Sequence, residues 1–65
     1  MIKITNEQYQ LFIKYIDKKE LQNAIDDVLD VLDDKILEIG FNPDYSLNEI
    51  GLKLQRLYDQ LYNQN

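Results

Sequence analysis

The sequence contains no cysteine, no histidine and no tryptophan, and it has only two glycines and one proline among 65 residues. Without cysteine the chain can form neither a disulfide framework nor a thiolate metal site. Without histidine it lacks the commonest acid–base side chain of enzymes. The scarcity of glycine and proline leaves few turn signals, and this favours long helices over a turn-rich sheet.

Few residues could carry catalysis. Besides the tyrosines, the only hydroxyl side chains are Thr5 and Ser46, and both are assigned to helix caps below. Carboxylates alone could do acid–base work only in a pocket that separates their pKa values. Nothing in the sequence indicates such a pocket, so we expect no enzymatic activity and no cofactor.

Long apolar runs are also missing. No stretch approaches the roughly 18 apolar residues that cross a bilayer, and the opening MIKITNEQ lacks the basic segment and apolar run of a signal peptide. These features predict a cytoplasmic protein with no membrane partner. A hydrophobic content of 45% is too high for a disordered chain. We expect one small helical domain over residues 1–65, which would bury only roughly 60% of its unfolded surface.

Three segments carry the same signature of a helix start. A capping Thr, Asp or Ser is followed three residues later by Gln or Glu, and it is preceded by a hydrophobic residue that can pack on the first turn. The three pairs are Thr5–Gln8, Asp17–Glu20 and Ser46–Glu49. At the third start, Tyr45 is the residue predicted to pack on the helix. Gly40, followed by Phe41 and Pro43, predicts the end of the second helix in a Schellman motif.

The apolar residues then define the fold class. Their spacing predicts helices over about residues 6–16, 18–39 and 47–62. The stripes of the first two helices would face opposite ways in one straight helix, so a tight turn is placed at residues 17–19. The short loop before the third helix favours an antiparallel return. We predict an all-α, compact three-helix bundle, which a second chain could complete. Gly51, inside the third helix, predicts a close approach between helices, with a backbone kink as the alternative.

Acidic residues dominate the middle of the chain. Between Glu20 and Glu49 there are nine acids and a single base, Lys35. Five of these acids lie on the side of the second helix that faces away from its apolar stripe: Asp27, Asp30, Asp33, Asp34 and Glu38. Apolar core residues interrupt them, unlike the loop ligands of a calcium site, and no histidine is present for a di-iron site. We expect no metal here.

Two interpretations of these acids remain. They form either a solvated helix face or a surface for a basic protein partner. Like charges on one helix face cost a few tenths of a kcal/mol per pair, so keeping them favours a basic partner. Tyr15 and Tyr62 point to the flanks of their helices or outward, and they are candidates to hold that partner, since tyrosine is a frequent interface anchor.

Nucleic acid is not the expected partner. The acidic middle of the chain would repel a phosphate backbone. The segment from Ser46 onward resembles a helix-turn-helix only in its LNEIG, and it offers just Lys53 and Arg56 for contacts with DNA.

Self-association is the alternative to a basic partner. Leu11 and Leu52 lie opposite the apolar stripes of their own helices. Together with Val31 and Leu37, which flank the core stripe of the second helix, they could form a patch for a homodimer or for a regulatory assembly.

One segment resembles a known family. Residues 12–32, FIKYIDKKELQNAIDDVLDVL, are similar to the opening of small helical immunity proteins of the Maf type, in which an aromatic and aliphatic helix end is followed by an acid, a Glu, an Ala and spaced leucines. The matching positions are Tyr15, Ile16, Asp17, Glu20, Leu21, Ala24 and Leu29. The likeness covers about a third of the chain. It implies a cytosolic protein that neutralises a cognate toxin by binding it.

Overall fold

Three α-helices and one 3₁₀-helix make up the protein. The computed structural model describes all 65 residues. Helix α1 spans Asn6–Tyr15, a 3₁₀-helix spans Lys18–Gln22, α2 spans Ile25–Ile39 and α3 spans Glu49–Gln64. There are no β-strands beyond one isolated bridge. The all-α three-helix bundle is thus confirmed, and none of the helices is long and apolar enough to cross a membrane.

The start of α1 is the capping box that the sequence predicts. The Thr5 hydroxyl accepts a hydrogen bond from the Gln8 backbone N–H at 3.2 Å, and the Gln8 side chain accepts one from the Thr5 N–H at 3.0 Å. Two of the unpaired N–H groups at this helix end are satisfied in this way. The capping box joins residues only three positions apart, so it could be predicted from the sequence.

The second predicted helix start has the right position, but the predicted helix type is wrong. Asp17 does cap a helix, through the Lys19 N–H at 3.0 Å, but that helix is a single 3₁₀ turn. It ends at Asn23, whose N–H makes the last bond of the turn, to the Glu20 carbonyl, and whose own backbone is extended with φ −78° and ψ 170°. The backbone is also extended at Ala24. Helix α2 therefore begins at Ile25 instead of residue 18, without a side-chain cap.

The third predicted start is shifted. Asn48, not Ser46, caps α3: its side-chain oxygen accepts from the Gly51 N–H at 2.7 Å. Its side-chain NH₂ donates to the Ile39 carbonyl at 2.8 Å. One amide therefore joins the end of α2 to the start of α3. Gly40 ends α2 as predicted, but with φ −93° it does not adopt the left-handed conformation of a Schellman motif.

Helices α2 and α3 are the most closely packed pair. The C-cap of α2, Gly40, lies in close contact with Gly51 of α3, and both glycines are buried. A Cβ on Gly51 would overlap the Gly40 carbonyl oxygen and lie 3.0 Å from the Gly40 Cα. The predicted reason for a glycine inside α3, close helix approach, is confirmed.

The core lies between the three helices. Its ten members are the hydrophobic residues that the structure buries: Phe12, Ile16, Leu21, Val28, Leu29, Leu32, Ile36, Leu54, Leu57 and Leu61. Every helix, and the 3₁₀ turn through Leu21, contributes at least one of them. The apolar stripes that the sequence predicts for α2 and α3 account for most of this core.

Helix α1 is held to α3 by amides as well as by apolar contacts. The Gln8 side chain donates to Gln60 at 3.0 Å and to Gln64 at 2.7 Å, and it accepts from Gln64 at 3.0 Å. Before the helix, the Lys3 N–H donates to the Asn65 side chain at 2.8 Å. Increasing residue numbers in α1 thus meet decreasing numbers in α3, so the two helices run antiparallel.

Candidate protein-interaction surface

The predicted acids do form one exposed surface on α2. All five carboxylates of this acidic face, Asp27, Asp30, Asp33, Asp34 and Glu38, belong to exposed residues. The packing of Val28, Leu32 and Ile36 into the core fixes their direction, because on a helix the residues between the core positions must point outward. The acidic face is therefore a consequence of how α2 packs.

Almost none of this negative charge is neutralised within the molecule. The only ion pair in the structure joins Lys35 and Glu38 at 3.0 Å, one turn apart on α2. Asp27 is in the first helical turn, where the helix dipole favours an acid. That reason does not extend to Asp30, Asp33 or Asp34. No group of three acidic side chains is close enough together to hold a metal ion.

The two predicted anchor tyrosines lie on other helices. Tyr15 is the last residue of α1 and is half-buried against the core. Tyr62 is in the last turn of α3 with 65% of its surface exposed. The structure does not join them to the acidic face through any hydrogen bond.

The two leucines predicted for self-association differ from each other. Leu52 is exposed, as expected from its position opposite the α3 stripe. Leu11 is not: it is half-buried and packs against the core. It also lines a small cavity with Lys53 and Leu57 of α3. The expectation that Leu11 is exposed is wrong, because the α3 residues that line this cavity, Lys53 and Leu57, lie beside it.

The loop between α2 and α3 contains a feature that the sequence did not reveal. Residues 40–48 form a short hairpin, with the Asn48 N–H on the Gly40 carbonyl and Phe41 bridged to Leu47. At its tip the Asn42 carbonyl accepts from the Tyr45 N–H at 2.9 Å and the Asn42 N–H donates to the Ser46 carbonyl at 2.8 Å. This is a three-residue hairpin loop, in which a turn is followed by a left-handed residue.

Tyr45 occupies the left-handed position. Its φ is 68°, the only positive φ in the chain. Glycine is the usual residue there, and an L-residue in this conformation costs roughly 1–2 kcal/mol. The predicted packing of Tyr45 on the start of α3 is wrong, because this backbone conformation turns the side chain into solvent, where 87% of it is exposed.

Asp44 and Ser46 hold the loop in this shape. The Asp44 carboxylate accepts from the Ser46 hydroxyl at 2.6 Å and from the Ser46 N–H at 3.1 Å. The first of these bonds and then the second hold the pKa of the Asp44 carboxyl below its ordinary value. Asn42 also donates to the Ser46 hydroxyl at 3.1 Å. Ser46, predicted as a helix cap, thus serves the loop instead.

An exposed apolar surface results where this loop meets α2. Leu37, Phe41, Pro43 and Tyr45 line an open groove of about 420 Å³, with Asn42 as its polar member. We call these four residues the apolar corner. Leu37 is 67% exposed and Phe41 39% exposed. Such clusters on a small monomer often mark interaction sites.

Only part of this surface could be predicted from the sequence. Leu37 was predicted at the edge of the core stripe, but Phe41 and Tyr45 were assigned to packing on helix ends. The missed signal is the asparagine, proline and aspartate between them, which is typical of a turn. A turn there would place its flanking aromatic residues in solvent.

No protein-family model, no curated protein and no solved structure matches this chain.

Proposed function

We propose that this chain is a non-catalytic binding protein that inhibits a basic protein through the acidic face of α2. One observation carries the proposal: the five carboxylates are exposed together, and only Glu38 has a cationic partner within the molecule. A surface of this kind attracts a positively charged protein and orients its approach.

The alternative, a merely solvated face, explains these residues less well. Solvated helices commonly stabilise themselves by pairing opposite charges three or four residues apart. The positions three and four residues from Asp30 hold only acids: Asp26, Asp27, Asp33 and Asp34. The repulsion destabilises the free protein slightly, and a cationic partner would remove it.

The proposed target is a toxin or an enzyme that acts on nucleic acids. Enzymes that bind nucleic acid present basic surfaces to the phosphate backbone. A row of carboxylates can occupy such a surface and exclude the substrate. The resemblance of residues 12–32 to Maf-type immunity proteins supports the same class of target. In the complex, Tyr15 and Tyr62 would serve as aromatic anchors beyond the acidic face.

The test compares the tagged wild-type protein with a variant in which Asp30, Asp33 and Asp34 are all changed to Lys. Both are used to capture proteins from the native host lysate, and the eluates are identified by mass spectrometry. We expect a basic protein retained by the wild type and lost from this acidic-face variant. The affinity of the captured protein should fall steeply with added salt.

A charge-matched control separates the acidic face from net charge. Changing Glu7, Glu49 and Asp59 to Lys gives the same change in net charge on α1 and α3. This control should still capture the partner, and circular dichroism should show both variants to be helical. Equal affinity of the partner for the acidic-face variant and for the wild type would remove the acidic face from the proposal.

Self-association stands as the second candidate, since Leu52 is 55% exposed on the outer side of α3. It requires a dimer or larger species in light scattering that persists at high salt, because apolar contacts are not screened. Changing Leu52 to Glu should then restore the monomer. A monomer at all accessible concentrations of the wild type argues against it.

A further inference from the structure

The apolar corner has the composition of a contact site, although its residues lie outside the packed core. Leu37 comes from the last turn of α2, Phe41 from the first arm of the hairpin and Tyr45 from its loop, yet the three line one groove. None of the three belongs to the buried core or to the partly buried shell around it. Their side chains are therefore not part of the packed core.

The backbone at Tyr45 gives an independent argument. The loop would form more easily with glycine, because only glycine adopts a φ of 68° without steric conflict. A bulky residue held in a strained conformation and projecting into solvent is typical of functional positions. The side chain of Tyr45 makes no hydrogen bond within the chain and is exposed, so it is free to contact a partner.

The charge around the corner indicates what can occupy it. Asp33 and Asp34 precede Leu37 by one helical turn, which places them about 5–6 Å away on the same surface. Glu38 is the next residue, and Asp44 lies in the loop beside Tyr45. No base lines the groove, and the one base on α2, Lys35, is paired with Glu38 alone. An occupant must therefore bring positive charge around an apolar centre.

A second copy of this chain does not meet that requirement. A symmetric contact between two corners would bring each set of carboxylates against the same set in the other copy, and like charges placed together at an interface are strongly unfavourable. A nucleic acid is excluded by the same sign of charge. The occupant is a cationic polypeptide.

We infer that the apolar corner receives one large apolar side chain of a partner protein, presented between lysines or arginines that pair with the surrounding carboxylates. The inference rests on the proposed function and refines it. The acids of α2 speed and orient the encounter, and the contact with Leu37, Phe41 and Tyr45 holds the complex together, as apolar and aromatic anchors do at interfaces.

The probe for this inference is a pair of synthetic peptides. One is a lysine peptide with a single central tryptophan, and the other is the same peptide with serine in place of the tryptophan. Each is titrated into the ¹⁵N-labelled wild-type protein and followed by NMR. The tryptophan peptide should shift the amide signals of Leu37, Phe41 and Tyr45 most. It should bind about three- to tenfold more tightly than the serine peptide, the range for one good aromatic contact.

The Tyr45→Gly variant gives the decisive comparison. Glycine relieves the backbone, so a loss of binding cannot be attributed to unfolding. The tryptophan peptide should lose its advantage over the serine peptide with this variant, while both peptides keep their weak attraction to the acids. Leu52→Ser, an exposed leucine changed on α3, should bind both peptides as the wild type does.

The outcomes separate the inference from the proposed function. If the two peptides bind the wild type equally, yet both weaken with the acidic-face variant, the inference is overturned and the role of the acids stands. If the acidic-face variant binds both lysine peptides as tightly as the wild type does, the proposed function fails and the inference fails with it.

Discussion

The carbonyl oxygen of Gly40 lies where a Cβ atom on residue 51 would have to stand. The end of α2 and the first turn of α3 touch here backbone to backbone, and the Asn48 amide bonds both helix ends beside this contact. The loop that carries the apolar corner leaves from this junction. The position of the corner therefore depends on the absence of one side chain.

Changing Gly51 to Ala should destabilise the protein. Alanine is favoured over glycine in a helix by roughly 1 kcal/mol, but the new methyl group would meet backbone atoms of Gly40, which cannot rotate away. Overpacking of this kind costs about 1–3 kcal/mol. We expect the overlap to prevail and the urea midpoint to fall. Lys53→Ala, an exposed substitution in the same helix, should change stability by less than about 0.5 kcal/mol.

Changing Gln8 to Ala should loosen α1. The wild-type amide uses both of its protons and both lone pairs, on Thr5, Gln60 and Gln64. Removing it leaves the half-buried Gln64 amide without its partner, and an unsatisfied buried group costs about 1–3 kcal/mol. Denaturant unfolding followed by circular dichroism measures the change. Gln10→Ala, at an exposed position of the same helix, is the control, and an equal loss in both would contradict a special role for Gln8.

The loop should respond to acid through Asp44. Its pKa in the folded protein is lowered by the Ser46 hydroxyl and the Ser46 N–H. A group with a lower pKa in the folded state stabilises the fold above its unfolded pKa, and this contribution is lost as the pH falls through the folded value. Carboxyl ¹³C NMR should therefore show Asp44 titrating below the ordinary range for aspartate.

Asp44→Asn is the matched control for that experiment. The asparagine oxygen can still accept from Ser46, so the loop keeps its shape, but the group no longer titrates. Amide signals of the loop should move with acid in the wild type and stay in place in this variant. Equal movement in both would assign the acid response to other carboxyls.

Changing Tyr45 to Gly should raise the stability of the free protein. The left-handed conformation costs the tyrosine roughly 1–2 kcal/mol, and the greater freedom of glycine in the unfolded chain returns part of that gain. We expect a net increase of about 0.5–1 kcal/mol in the free energy of unfolding. Tyr62→Gly, in the last turn of α3, should lower it instead. A less stable Tyr45→Gly protein would mean that the tyrosine ring stabilises the fold.

The sequence predicted those parts of the structure that depend on neighbouring residues. The Thr5–Gln8 capping box, the stripes of α2 and α3 and the outward direction of the acids all follow from spacings of three or four residues. The Asp17 cap was recognised, but its extension to an α-helix was wrong, since the backbone is extended at Asn23 and Ala24.

What the sequence did not reveal depends on contacts between distant residues or on backbone conformation. The bonds from Gln8 to α3 join residues 52 and 56 positions apart, and no local pattern indicates them. Likewise, the sequence around Tyr45 is that of a helix start. The bonds between Asp44 and Ser46, which hold this segment as a loop, are seen only in the structure. The apolar corner was missed because its exposure is decided by this one left-handed residue.

The side-chain amide bonds that hold α1 to α3 have a consequence for the order of folding. They join residues 52 to 62 positions apart, whereas the pairing of α2 with α3 closes a short loop and is entropically cheap. We expect α2 and α3 to pack together first and α1 to dock last. Hydrogen exchange should then be faster for α1 amides than for those of α2. The acidic face and the apolar corner both belong to α2 and the loop that follows it, so a molecule whose α1 has transiently opened still carries these two surfaces.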